Sequence, residues 1–184
     1  MSTQQIQLFS DVKNVYFNGR VTPVLIAKVF LLSAIATLFI GLTIVLFSKA
    51  LEQNLITGLL LVAISLFIII PLGRYFSWNI YGEEHVTINQ NNILYQHNFG
   101  FTRTNLKRIP HNGELSFDFE ITGYNESREE GILHIFELEK NNSYKKLYST
   151  AVRLTEQQAD EFVKNIEKVF GLPNRKMDYQ FSLN

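Results

Sequence analysis

The sequence predicts a membrane α-helical hairpin joined to an α+β soluble domain, an antiparallel meander or barrel of about six or seven strands closed by a C-terminal helix. Three observations predict this class. Two long apolar runs lie near the N-terminus, period-two alternation begins after Trp78, and one amphipathic, well-capped run precedes Pro173. They divide the chain into an N-terminal segment (1–23), a two-helix hairpin (24–78), a β-rich domain (79–173) and a tail (174–184).

The first apolar run spans Ala27 to Phe47 and the second Leu55 to Phe76. A bilayer core about 30 Å thick takes about 20 helical residues, and both runs reach that length. Between Val24 and Phe76 only Lys28, Lys49, Glu52 and Arg74 are charged. A cleaved signal peptide fits poorly, because its short apolar core would stand nearer the start of the chain. The short linker Ser48–Asn54 forces the two spans antiparallel, so both termini lie on one side. Lys13, Arg20, Lys28 and Arg74 flank the outer ends, with Lys49 alone in the linker, and this bias predicts cytoplasmic termini. Lys28 and Arg74 sit near span ends, where long side chains reach the headgroups. Tyr75, Phe76, Trp78 and Tyr81 make an aromatic belt at the exit, and Pro71 is placed to kink the last turns. Ser33, Thr37 and Gly41 fall at i, i+4 and i+8. This small-residue stripe either packs on the second helix, which offers Gly58 and Ser65, or docks a partner helix. Neither span carries Asp, Glu or His at mid-depth, so the usual marks of ion or proton transport are missing.

Charge divides with the hydropathy. Residues 1–78 carry five basic and two acidic residues, whereas residues 79–184 carry twelve basic and fifteen acidic ones. An acidic soluble part argues against nucleic acid as a partner, since that needs a basic surface. The chain has no cysteine, which excludes disulfides, thiolate metal sites and cysteine catalysis.

In the soluble part, Val86 and Ile88 alternate with polar neighbours, Asn89–Asn92 reads as a turn, and Ile93, Tyr95 and His97 follow on one face. Leu115, Phe117, Phe119 and Ile121 alternate with Ser116, Asp118, Glu120 and Thr122, the pattern of a strand with one buried and one wet face. Gly123–Gly131 reads as a polar loop, with further strands at Ile132–Glu139 and Tyr144–Val152. The closing helix has Thr155 as N-cap with Gln158 completing a capping box. Ala159, Phe162, Val163, Ile166, Val169 and Phe170 form its apolar face, and Gly171 and Pro173 stop it. The tail Asn174–Asn184 is expected to be loosely held.

Four stretches carry a resemblance: the hairpin-then-meander layout, the exit Ser77-Trp78-Asn79 with Gly82 after it, Phe99-Gly100-Phe101, and Leu154-Thr155-Glu156 through Gly171-Leu172-Pro173. In these the chain resembles bacterial two-helix membrane-anchored pleckstrin-homology-like proteins, and is weakly similar to the photosystem I assembly protein family. The resemblance implies a bacterial inner-membrane location and a non-enzymatic module that binds a partner or helps assemble a membrane complex. Phosphoinositide-binding pleckstrin-homology domains carry basic residues in the first strand–turn–strand. Here the turn Asn89–Asn92 is uncharged, so specific phosphoinositide binding is not expected.

No residue pattern calls for a catalytic centre, a cofactor or a metal. Glu83-Glu84-His85 is the most suggestive cluster, but neighbours on a strand face opposite ways, and it reads as a solvated strand start. His97 and His134 read as half-buried strand residues, and His111 lies in a Pro-His-Asn-Gly turn. Arg103, Lys107 and Arg108 are the best basic group, and with Arg74 and Trp78 they are the candidate contacts to the membrane surface or a partner. The expected function is a membrane-anchored scaffold, accessory subunit or assembly factor, with the bilayer and a membrane protein or a second copy as partners. The alternative is a ligand-sensing membrane effector with a nucleotide-binding β-barrel.

Overall fold

A computed structural model describes residues 6–21, 25–47, 55–125, 128–139, 143–171 and 178–181. The linker 48–54, with Lys49 and Glu52, lies outside them. Strands β1 (Ile6–Ser10) and β2 (Asn14–Arg20) come first, followed by helices α1 (Leu25–Phe47) and α2 (Leu55–Tyr81). Strands β3 (Glu83–Asn89), β4 (Asn92–Asn98), β5 (Lys107–Pro110), β6 (Leu115–Asn125), β7 (Arg128–Leu138), β8 (Tyr144–Ser149) and β9 (Leu154–Thr155) lead to helix α3 (Glu156–Phe170) and strand β10 (Asp178–Phe181).

The strands form two open sheets, one in the order β1-β2-β3-β4-β5 and the other in the order β10-β6-β7-β8, with β9 on β7. All pairings are antiparallel except β10 with β6. The expected strand count is met by β3–β9, but no barrel closure joins the sheets. The inner faces meet in one core that includes Val15, Phe17, Val86, Ile88, Ile93, Phe119, Leu133 and Ile135, all at most 1 % exposed. Helix α3 lays Ala159, Phe162, Val163 and Ile166 on this core, with the Phe162 ring 5.2 Å from that of Phe17. The predicted caps are present. The Gln158 amide donates to Thr155 Oγ1 over 3.3 Å, the Thr155 amide donates to Gln158 Oε1 over 2.9 Å, and Gly171 ends the helix at φ 64°.

Three parts of the sequence reading change. The segment before the hairpin carries β1 and β2; β2 supplies Val15 and Phe17 to the core and pairs along the whole of β3, and β1 adds to its other edge. The helical hairpin is therefore an insertion between two neighbouring strands. Arg20 stands opposite Glu83, and the Val21 amide donates to the Gly82 carbonyl over 2.8 Å. The stretch read as a polar loop continues β6 to Asn125 and starts β7 at Arg128, so Gly123 and Gly131 are strand residues. In the tail, Asp178–Phe181 is held against β6 in parallel register. These short segments lack an apolar alternation long enough to stand out, and the sheet edges supply their partners.

Ile56–Tyr81 is long and apolar enough to cross a membrane, and 6 % of its most apolar window is buried within the chain. In α1 the described apolar run is the shorter Lys28–Ile44. Helix α2 continues unbroken through Pro71 to Tyr81. The two helices meet along seams of heptad-like spacing, with Leu31, Ile35, Leu38 and Leu42 partly shielded on α1, and Gly58, Val62, Ser65, Ile69 and Leu72 on α2. Gly58 is thus in the seam. Ser33, Thr37 and Gly41 are exposed on the far side of α1, and a Cβ added at Gly41 would meet nothing within 4 Å. The stripe does not pack on Gly58 and Ser65. At about 3.6 residues per turn the stripe lies more than a third of a turn from the seam, and the Ser33 and Thr37 hydroxyls bond back to the carbonyls of Phe30 (2.8 Å) and Ser33 (2.9 Å).

Candidate functional site: the joint between hairpin and sheet

Pro71, Arg74, Tyr75 and Trp78 recur at helical spacing and share one face of α2 where the helix meets the sheet. The opposing wall comes from the end of β4 and the turn after it. Gly100 takes φ 83°, a conformation that suits glycine, and a Cβ there would stand 2.7 Å from Tyr81 Cβ. That turn sets Phe99 against Trp78 (5.1 Å between ring centroids) and Phe101 against Tyr81 (5.6 Å). Ser77 Oγ donates to the Phe99 carbonyl. Gly82 lets the chain turn under the Trp78 ring, and its amide donates to the Trp78 carbonyl over 2.8 Å. Ser77-Trp78-Asn79, Gly82 and Phe99-Gly100-Phe101, separate in sequence, thus converge on one joint.

The Arg74 guanidinium lies 4.8 Å from the Phe99 ring centre, close enough for a cation–π contact. Beside it, Pro71, Tyr75, Trp78, His97, Phe99 and Ala151 line an open groove of about 390 Å³. The His97 ring meets Trp78 edge-on at 5.4 Å. Behind His97 lies Glu84, fully buried. Its carboxylate accepts from the Tyr148 hydroxyl, from the Ala151 amide at 2.8 Å and from the Val152 amide at 2.8 Å. Burial and the neighbouring Glu84 charge raise the Tyr148 phenol above its ordinary range, so it stays a donor. His97 Nε2 is 3.6 Å from Glu84 Oε1, beyond hydrogen-bond length, and has no hydrogen-bond partner.

Glu83-Glu84-His85 is therefore not a uniformly solvated strand start. Glu83 and His85 face outward, near Arg20 and Asn18, with His85 Nδ1 2.8 Å from Asn18 Oδ1. Glu84 faces inward and ties the loop after β8 to β3. The signal for this was the period-two rule itself, which puts Glu84 in line with Val86 and Ile88.

The basic group does not form one patch. Lys107 lies on the inner side over Tyr95 (5.7 Å), Arg108 turns outward and donates to Asn92 Oδ1 at 2.6 Å, and Arg103 is exposed in the β4–β5 connection. His134 is more buried than expected, at 6 %, and bridges Glu120 Oε2 (2.9 Å) and Ser149 Oγ (2.8 Å) across three strands. This array stands on the outer face of the sheet, opposite the core residues Leu133 and Ile135. His111 is also buried, at 8 %, between the Asn89 carbonyl and the Gly113 amide. Among the described residues no cluster of three or more His, Cys, Asp or Glu could hold a metal ion. Compared with protein-family models and with curated proteins, the chain matches none.

Proposed function

We propose that the chain is a membrane-anchored, non-enzymatic scaffold or assembly module, with a pleckstrin-homology-like domain docked rigidly at the cytoplasmic face of a bacterial inner membrane. One observation carries this reading: the helical hairpin is inserted between two strands that pair with each other, β2 and β3. Such an insertion must leave and re-enter the sheet on one side, so α1 and α2 cross the bilayer as a pair. The mostly unburied apolar surface of α2 suits lipid better than a protein core. Lys13, Arg20 and Arg74 then lie on the side of the β-domain, in keeping with cytoplasmic termini. The joint makes the domain an extension of the membrane helices rather than a tethered head, which suits holding a partner in fixed register.

The pleckstrin-homology-like assignment is supported by two packed, mainly antiparallel sheets and one C-terminal helix that contacts both. The outward stripe Ser33, Thr37 and Gly41 offers a partner helix a close approach. A nucleotide-sensing barrel is disfavoured, since the space between the two open sheets is filled by apolar side chains.

The test is purification of the full chain from membranes in mild detergent, followed by mass spectrometry and size analysis. A stable companion, either another membrane protein or a second copy, is expected, and Gly41→Leu should release it. A monodisperse monomer with no companion would overturn the scaffold reading.

A further inference from the structure

We infer that the groove between α2 and the end of β4 binds one anionic phospholipid, its phosphate on Arg74 and the start of an acyl chain along Pro71 and Tyr75. The inference rests on α2 spanning the bilayer. Counted from Ile56, about 20 helical residues fill a hydrocarbon core of about 30 Å. That count ends at Tyr75. Tyr75 thus stands at the hydrocarbon boundary and Pro71 one turn inside it, the long Arg74 side chain reaches out to the phosphates, and Trp78 lies at the interface one turn on.

One turn before Pro71 and Arg74 the same face of α2 carries exposed Phe67 and Ile70, so the apolar surface of the helix leads a lipid to the groove within the bilayer. Its volume of about 390 Å³ lies within the range of small-ligand sites. Charge selects the headgroup. No described carboxylate lies within ion-pair distance of Arg74. Contact with Phe99 holds the guanidinium at the groove wall, and with no described carboxylate beside it its N–H edges can take phosphate oxygens. Glu84, the acid nearest the groove, is turned inward onto Tyr148, Ala151 and Val152. An Arg free to reach the headgroups would meet any of them, whereas one held beside an apolar cleft selects a lipid that is both anionic and seated in the cleft.

Trp78 is the only tryptophan in the chain and lines the groove, so it reports occupancy directly. The full chain is reconstituted in phosphatidylcholine nanodiscs containing equal small fractions of either brominated phosphatidylglycerol or brominated phosphatidylcholine. Quenching of Trp78 should show about fivefold enrichment of the anionic lipid, the preference one basic residue gives near a bilayer surface. Arg74→Gln should abolish the preference, and Lys164→Gln, on the exposed side of α3, should retain it. Equal quenching by the two lipids, or a preference that survives Arg74→Gln, would overturn the site while leaving the anchor intact. No quenching by either lipid would overturn the anchor as well.

Discussion

The Val21 amide donates to the Gly82 carbonyl over 2.8 Å, so the chain re-enters the sheet beside the point at which it left. Among the described residues, those between these two form α1 and α2, and those outside them build the two sheets and α3. Helix α2 passes into β3 through Gly82 alone, so force applied to this helix is delivered directly to an inner strand of the sheet.

The joint should be intolerant of added side chains. Gly82→Ala drives a Cβ into the Trp78 carbonyl and ring, and Gly100→Ala combines a contact with Tyr81 and a positive φ. Each is expected to cost about 1–3 kcal/mol by overpacking and strain. Thermal melts in detergent, with the shift in Trp78 emission recorded, check this. Unchanged melting would mean that helix and sheet are not joined as described.

The buried carboxylate is worth more than its hydroxyl partner. Glu84→Ala leaves two backbone amides and the Tyr148 hydroxyl without an acceptor, each costing about 1–3 kcal/mol. Tyr148→Phe removes a single donor and should cost about 1 kcal/mol. Chemical denaturation in detergent should rank the two variants in this order.

Acid should destabilise the domain through His111. Burial holds its imidazole below the ordinary value of 6.5. The geometry agrees: Nδ1 accepts from the Gly113 amide at 3.1 Å while Nε2 faces the Asn89 carbonyl at 2.9 Å, which requires the neutral ring. A lowered native pKa means that the unfolded chain binds the proton more tightly. Stability is then full above pH 6.5 and falls as the pH drops through 6.5 toward the lowered native value. Melting temperatures between pH 7.5 and 5 should decline, and His111→Gln should flatten that decline while lowering stability at neutral pH.

The two helix glycines should behave oppositely. Gly58 is buried in the seam, whereas Gly41 faces away from α2. Gly58→Leu is expected to cost about 1–3 kcal/mol by overpacking. Gly41→Leu should leave the isolated chain as stable as before, since the added side chain meets open space. Unfolding titrations with a denaturing detergent separate the two.

Hydropathy and local chemistry carried a large part of the fold. The apolar runs gave both helices to within a few residues, and Thr155, Gln158 and Gly171 marked the ends of α3. Period two found the core positions of β3, β4 and β6. What stayed hidden was non-local. Nothing in Ile6–Ser10 or Asp178–Phe181 says which sheet edge will pair with it. Gly123 and Gly131 read as loop residues because glycine breaks the alternation, although both lie on the β6–β7 hairpin, Gly131 opposite Ile121 and Gly123 opposite Glu130. At the joint, Trp78 and Arg74 were legible as interfacial residues, but their contact with Phe99 and His97 required β4 to return to the helix. Lys107 and Arg108 looked like one patch in sequence and face opposite sides in space.

The central claim is that a bilayer-spanning hairpin is inserted into one continuous β-domain. Because Arg20 and Glu83 are cross-strand partners, the hairpin can be replaced by a two-residue Asn-Gly turn joining them. Carbonate fractionation and size-exclusion chromatography of both chains test the claim. The full chain should stay in the membrane pellet and need detergent, while the shortened chain should be a folded monomer in plain buffer. A full chain that is soluble and monodisperse without detergent, or a shortened chain that cannot fold, would contradict it.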